Sequence, residues 1–335
     1  MKISIVIPCR NEVQYISKCI ESISSFSSSQ SIEVFVVDGM SDDGTRLVLA
    51  ELVKKYSWLH VLDNPKRTTP IALNTGIKNS TGDYVMILGA HSELKPDFFE
   101  VVLPLFQLDT SIGCAGALLQ NISEDLKTQS IAAAMSSPFG MGSAHFRTGL
   151  KEGFVDTVAF GIYKKEVFET AGLFDEELTR NQDDEFNYRV LKGGYKIYLT
   201  NKTSITYYVR STFGRLYRQF FQYGYWKVYV NKKHKSITTL RQLIPFLFVG
   251  FLIGGFISHL FFQILVLPYI IGIALYLTVS FLFSIRNALS GIFGVWYSFL
   301  IIHLSYGIGY WKGVIEFLIL NKKPSSSKSG NKLTR

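Results

Sequence analysis

Acidic residues almost vanish from the second half of this chain. Between Phe186 and Ile315 there is no Asp or Glu, and residues 186–335 hold only Glu316 against 19 Lys and Arg. The first 185 residues carry the other 25 acidic residues against 16 basic ones, so an overall charge of +9 conceals −9 followed by +18. Such a split joins a soluble acidic half to one that meets nucleic acid or an anionic membrane. No nucleic-acid motif accompanies the charge, and long apolar runs beside it favour membrane lipids. Cysteine is scarce as well. Cys9, Cys19 and Cys114 lack metal-ligand spacing and the density of a disulfide framework, which favours a reducing compartment. The first apolar run, Ile3–Ile7, is too short for a secretory signal and is closed by Pro8, so the N-terminal half is expected in the cytosol.

What is present in that half is alternation. Ile3–Ile7 reads as a first strand, Val13–Ser24 as a helix with Ile16, Ile20 and Ile23 on one face, and Glu33–Val37 as a second strand ending at Asp38-Gly39. A Ser-rich turn, Ser24–Ser31, separates them. Asp38–Thr45 is a loop opening a helix; Val61-Leu62 is a weak third strand and Ile71–Lys78 a short helix. This order predicts an α/β fold with a doubly wound, mostly parallel sheet. Gly82-Asp83 then turns into the apolar run Tyr84–Leu88, a buried strand that stops at the small polar corner Gly89-Ala90-His91. In such sheets ligands gather past the carboxyl ends of strands, where helix starts favour phosphate and carboxylates accept from ribose or base. Asp38 and Asp42, taken alone, read equally well as turn and helix caps.

Further on, Val101–Phe106 begins a helical apolar face, Ile112–Leu119 reads as a strand, and Val158–Tyr163 as another. Ser130–Thr148, rich in Ser, Gly, Met and Phe, suits a mobile loop near an acceptor. Asn181–Arg189 starts an amphipathic helix whose acidic first turn complements the helix dipole.

Together IVIPCRNE (Ile3–Glu12), VVDGMSDDGT (Val36–Thr45), ALNTGIKNSTGDYVMIL (Ala72–Leu88), GLFDEEL (Gly172–Leu178) and QDDEFNYR (Gln182–Arg189) resemble the family 2 glycosyltransferases of GT-A fold. The resemblance implies a Rossmann-like domain that binds a nucleotide sugar, most often a UDP-sugar. It implies that Pro8, Arg10 and Glu12 line the nucleotide pocket, that Asp38 accepts from the base, and that Arg67 and Asn74 lie nearby. The family's usual Asp-x-Asp is replaced here by Gly89-Ala90-His91. Gly89 has therefore lost a carboxylate on the nucleotide side, and His91 is the candidate ligand for a divalent metal, Mn²⁺ or Mg²⁺; imidazole suits Mn²⁺ better. Aligned through Arg189, the family's Glu-Asp motif falls on Gln182-Asp183. Asp183 is then the expected catalytic base for inverting attack by an acceptor hydroxyl, with Asp184 its rival if the register slips by one.

From Tyr207 the chain turns basic and aromatic (Arg210, Arg215, Arg218, Lys227, Lys232, Lys233 among Tyr217, Phe220, Tyr223 and Trp226), as an interfacial amphipathic helix would. The Gln-x-x-Arg-Trp of processive relatives is not kept, since Gln222 and Tyr223 hold its last two places. Leu243–Phe262 and Ile264–Ile285 are each long enough to cross a bilayer. A third stretch, Ala288–Trp311, either crosses too, against the positive-inside rule for Lys322, Lys323, Lys328, Lys332 and Arg335, or re-enters; three crossings are favoured.

The expected organisation is a catalytic domain over 1–208, basic interfacial helices over 209–242, transmembrane helices over 243–320 and a disordered tail over 321–335. The expected function is a multi-pass inner-membrane glycosyltransferase with a cytoplasmic catalytic domain, acting on a lipid-linked or growing saccharide in polysaccharide biosynthesis. Two rival readings are a catalytically weak scaffold subunit, suggested by Gly89 and Gln182, and a nucleotidyltransferase, for which Pro8–Glu12 is a poor phosphate loop.

Overall fold

The computed structural model describes residues 1–26, 31–123, 125–209, 212–238, 240–259, 261–287 and 291–324. Half of the Ser-rich turn (residues 27–30), Arg210, the start of the third apolar stretch at Ala288 and the tail from Ser325 lie outside the described residues. The chain begins β1 (Lys2–Cys9), α1 (Ile16–Ser24), β2 (Ser31–Asp38), α2 (Thr45–Lys55), β3 (Leu59–Asp63), α3 (Thr69–Asn79), β4 (Tyr84–Ile87) and β5 (Ser92–Leu94). It continues with α4 (Phe98–Val102), α5 (Leu105–Leu108), β6 (Ile112–Ile122), α6 (Leu126–Ser136), α7 (Pro138–Met141), α8 (His145–Thr148), β7 (Gly153–Val155) and β8 (Ile162–Lys164). The last elements are α9 (Lys165–Thr170), α10 (Gln182–Lys192), β9 (Lys196–Tyr208), α11 (Phe213–His234), α12 (Ile244–His259), α13 (Val266–Asn287) and α14 (Ile292–Gly313). These form two compact units, Met1–Gln120 with His145–Tyr208, and Asn121–Ala144 with Val209–Arg335.

The first unit is built on one sheet in the order β3-β2-β1-β4-β8-β6-β9-β5, with β7 beside β9. β1 and β2 are almost wholly apolar and buried, because helices cover both faces of a parallel sheet. α1 buries Ile16, Cys19, Ile20 and Ile23, one helical stripe. Parallel pairing holds only for β3, β2, β1 and β4, each joined to the next in sequence by a helix. Beyond β4 every described pairing is antiparallel, so the expected mostly parallel sheet is instead mixed. Parallel neighbours need a crossover of a dozen or more residues, and after β4 the chain no longer alternates strand with helix. The strand expected over Val158–Tyr163 also shrinks to Ile162–Lys164, because Phe160 takes a left-handed backbone, φ 54°.

The second unit corrects two expectations. Ser130–Thr148 is not an irregular loop. α6 covers its start, capped by Asp125, which accepts from the Thr128 N–H at 2.8 Å, and two short helices follow. Residues 121–144 also belong with the C-terminal helices rather than with a 1–208 domain. The reason is Phe139, whose ring sits among Tyr276, Phe283, Phe299 and His303 while its carbonyl meets His303 Nε2 at 2.9 Å. Three helical stretches, Leu240–Ser258, Gln263–Asn287 and Ile292–Ile319, have the length and composition to cross a membrane. α11 is no lone surface helix, since it buries Gln219, Phe220, Gln222, Tyr225, Trp226 and Lys227 and packs along α14.

Candidate active site

The chain leaves β1 toward β2 and β3, then returns to place β4 on the other side of β1. That reversal is the switch point at which open α/β sheets hold ligands. The loops leaving β1 and β4 meet there: His91 Nδ1 lies 3.1 Å from Glu12 Oε1, with side chains only 17% and 14% exposed. A carboxylate on Nδ1 favours the tautomer that carries its proton there, the arrangement that commonly orients a metal-binding histidine. Behind them the His91 ring meets Tyr207 edge-on at 5.0 Å. The Glu12 N–H donates to Thr45 Oγ1 at 2.9 Å, and Asn11 and Asp42 exchange two bonds, so the loops after β1 and β2 are zipped together.

Asp38 closes β2. It is fully buried, and its carboxylate accepts from the Ser41 N–H at 3.0 Å, from Ser41 Oγ at 2.5 Å and from Arg46 Nη1 at 2.9 Å. The same Arg46 nitrogen reaches exposed Asp63, at the end of β3, at 2.8 Å. Asp38 therefore anchors its own loop, and Asp63 is an exposed carboxylate at the neighbouring strand end. Its place at a strand end was the signal that could have singled it out.

Arg10 lies against Gly39, where a Cβ would come within 3.2 Å of its side chain. Arg10 Nε is buried without a hydrogen-bond partner among the described residues, and so is Gln182 Oε1. Buried polar atoms left unpaired by protein groups are completed by water or by a bound ligand. Pro8 lies at the end of β1, half-buried. Arg67 is exposed with φ 59°. Asn74 is already committed. Its amide donates to the Phe174 carbonyl at 2.9 Å and to Glu176 at 3.0 Å while its oxygen takes the Phe174 N–H, so it clamps α3 to the chain before α10.

Gly89 is buried under an aromatic ring. A Cβ there would fall 2.6 Å from Phe160 Cζ and 2.9 Å from Cε1, so the space of the missing side chain is filled by Phe160. Nothing in the sequence marked Phe160. Its left-handed backbone recurs at Asn11, Met40, Arg67 and Asn181, each in a loop of the first unit. Such conformations cost of order 1–3 kcal/mol each and cluster at functional sites.

Asp183 is the second residue of α10. Its side chain is accessible, yet the protein around it raises its carboxyl above the ordinary range, first by desolvation and then by the neighbouring Asp184 charge, with Arg147 opposing. Arg147 in turn stacks on Tyr207 at 5.3 Å, and Tyr207 is the ring beside His91. Arg147, Tyr207, His91 and Glu12 thus form one chain of contacts within the first unit, and the Arg147 charge acts on Asp183. Sequence reasoning missed Arg147, which lay in the segment expected to be a loop, and Tyr207. α10 is fixed by Asn187, which bonds Tyr163 Oη and Thr157 at 2.8 Å each, and by Arg189, which pairs with Glu185 and holds the carbonyls of Ala171 and Leu173.

A mixed GT-A sheet with this corner defines the class. The glycosyl transferase family 2 model matches residues 4–172, and the chain belongs to that family and is a glycosyltransferase. It is 30% identical to the Dolichyl N-acetyl-alpha-D-glucosaminyl phosphate 3-beta-D-2,3-diacetamido-2,3-dideoxy-beta-D-glucuronosyltransferase of Methanococcus voltae, over 94% of this chain and 97% of that protein. It is 28% identical to the succinoglycan biosynthesis protein ExoA of Rhizobium meliloti, over 93% and 95%. Among solved structures, the mannosyltransferase PcManGT of Pyrobaculum calidifontis, in complex with GDP-Man and Mn2+, superposes with a TM-score of 0.64 at 15% identity, covering 93% of this chain and 86% of that one. That similarity establishes the shared fold.

Proposed function

We propose that this glycosyltransferase moves a sugar, with inversion, from a nucleotide donor of the UDP-sugar class to a lipid-linked or growing saccharide at the cytoplasmic face of the inner membrane. The observation that carries the reading is the Glu12–His91 contact across the switch point, tied through Tyr207 and Arg147 to Asp183. Whole-length similarity to a dolichyl-phosphate glycosyltransferase and to a succinoglycan biosynthesis protein supports the acceptor class. An acceptor held in a bilayer also explains a catalytic unit followed by apolar helices.

In this reading Asp183 takes the acceptor hydroxyl proton as the hydroxyl attacks the anomeric carbon and the nucleoside diphosphate departs. General-base action of this kind is worth about 10²–10⁴-fold in rate. Arg10, with its unpaired buried Nε, faces the donor's anionic part, and Pro8, Glu12 and Gly89 line the same pocket. Among the described residues no group of three or more His, Cys, Asp or Glu is placed to hold a metal. His91, its Nδ1 held by Glu12, is the residue that would hold a divalent ion at this corner. Such an ion, when bound, neutralises charge on the leaving diphosphate.

The decisive variant is Asp183→Asn. Turnover should fall at least about a hundredfold while thermal stabilisation by the donor persists. The melting temperature of the unliganded variant should not drop, because the fold already disfavours the charged carboxylate. Near-normal turnover would remove Asp183 from the mechanism.

A further inference from the structure

Hydropathy counts α14 with α12 and α13 as a membrane-crossing helix. Its packing within the second unit says otherwise. α12 and α13 form an antiparallel hairpin: the Tyr269 hydroxyl donates to the Leu252 carbonyl at 3.0 Å, Phe251 meets Tyr269 at 5.4 Å, and Phe248 meets Tyr276 at 4.2 Å. Residues 248 and 276 are therefore level, with the tip at residues 261–265 and the root at residues 244 and 287.

α14 does not follow that hairpin. Trp296 Nε1 donates to Ser280 Oγ at 2.8 Å, His303 Nδ1 meets the Tyr276 hydroxyl at 2.9 Å, and Trp311 Nε1 donates to the Phe246 carbonyl at 3.0 Å. From Trp296 to Trp311 the helix advances about 22 Å, yet its partners shift by less than about 10 Å along the hairpin, at 1.5 Å per residue. α14 thus runs across the lower hairpin, from the end of α13 to the start of α12. The upper hairpin is left to its own two helices, with Phe261, Phe262 and Ile264 at 74%, 59% and 84% exposure.

α11 accompanies α14 in the same direction. Phe213 meets Tyr297 at 5.1 Å, the Tyr225 hydroxyl donates to Glu316 at 2.6 Å, and Lys232 Nζ donates to Asn321 Oδ1 at 2.6 Å. Between them the backbones nearly touch. A Cβ on Gly224 would lie 2.0 Å from the Tyr306 carbonyl oxygen, and one on Gly309 would lie 2.1 Å from that of Phe221. The two helices must share one orientation toward a bilayer. Were α14 to cross it, α11 would carry Arg218, Gln219, Gln222, Lys227 and Asn231 into the hydrocarbon, which is costly. The hairpin has no such obstacle, because no Lys, Arg, Asp or Glu occurs between Arg241 and Arg286.

We infer that α14 is not a membrane span: it lies in the plane of the membrane surface beside α11, across the root of an α12–α13 hairpin that alone enters the lipid. Arg241, Arg286, Lys322 and Lys323 then face the side that bears the catalytic unit, and the conflict between a third crossing and the basic C-terminal end disappears. This rests on the proposed membrane anchoring.

The test is side-specific labelling of the full chain in sealed vesicles with a membrane-impermeant maleimide. Cys9, Cys19 and Cys114 are buried, which keeps the background low. Lys66→Cys reports the catalytic unit and Lys323→Cys the end of the last helix, both at exposed positions. Labelling of both in the same vesicle orientation, and of neither in the opposite one, is the expected result. Labelling of the two in opposite orientations restores a third crossing and overturns the inference while leaving the anchoring intact. Release of the unmodified chain from membranes by alkaline carbonate would instead overturn the anchoring, and this topology with it.

Discussion

Gly89 gives the sharpest quantitative test of how the corner is built. A methyl group added there would sit 2.6 Å from Phe160 Cζ, whereas carbon atoms pack at about 3.5–4.0 Å, so the ring must retreat by about 1 Å. Its retreat is obstructed. Phe160 already holds a left-handed backbone, and the adjoining Gly161 is so close to the core that a Cβ on it would lie 2.6 Å from Cys114 Sγ. Overpacking of this kind costs about 1–3 kcal/mol. For a unit of this size each kcal/mol lowers the melting temperature by about 2–4 °C, so Gly89→Ala should melt about 2–12 °C below the parent. The assay is thermal unfolding of the detergent-solubilised full chain, followed by intrinsic fluorescence. Phe160→Ala is made alongside, and the double variant closes the cycle. With the ring gone the added methyl should cost little, leaving a coupling of at least about 1 kcal/mol between the two positions. Gly89→Ala melting within a degree of the parent, or strictly additive effects, would refute the account. The same reasoning says that an aspartate can be restored at position 89 only together with a smaller residue at 160.

Three further outcomes are expected. Burial alone would raise the Glu33 carboxyl, but hydrogen bonds from Lys2, Ser4 and Thr81 outweigh it and hold the group down to about 2. Its stabilisation, at most about 3 kcal/mol, is therefore complete above the unfolded value near 4.3 and is lost as pH falls toward 2. Glu33→Gln should lower the melting temperature at pH 7, with the gap about halved at pH 3 and closing only below about pH 2; an undiminished gap at pH 3 would count against it. Because the Asp184 charge helps to raise Asp183, Asp184→Asn should stay active with the acid limb of its rate profile moved to lower pH. Loss of activity at every pH would make Asp184 the base instead. His91→Ala should abolish the extra thermal stabilisation that Mn²⁺ adds to donor binding, while donor stabilisation without metal remains. A Mn²⁺ increment equal to the parent's would exclude His91 as a ligand.

The parallel half of the sheet was legible because β1, β2 and β4 are short, mostly apolar runs separated by helices, the first with a clear stripe. α6 was not, because LKTQSIAAAMS has no apolar face to read; its alanines favour helix without announcing it. The crossing of α14 over its hairpin was invisible for a related reason: hydropathy measures how apolar a helix is, not what it lies against. Within the site, a sequence shows which bonds a side chain could make but not which are already made. Asp38 was expected to meet a base, and in the structure its carboxylate already accepts from Ser41 and Arg46. Asn74 was expected beside the pocket, and in the structure its amide already pairs with the Phe174 backbone. Glu12 shows the converse. The corner after β4 has no carboxylate at Gly89 and no room for one under Phe160, yet a carboxylate stands 3.1 Å from His91 all the same, contributed by the loop after β1. Because β1 and β4 are adjacent only through the reversal of strand order, that contribution comes from 79 residues away and no local motif could display it. The negative charge expected in the β4 loop is present at this corner, carried by the neighbouring strand.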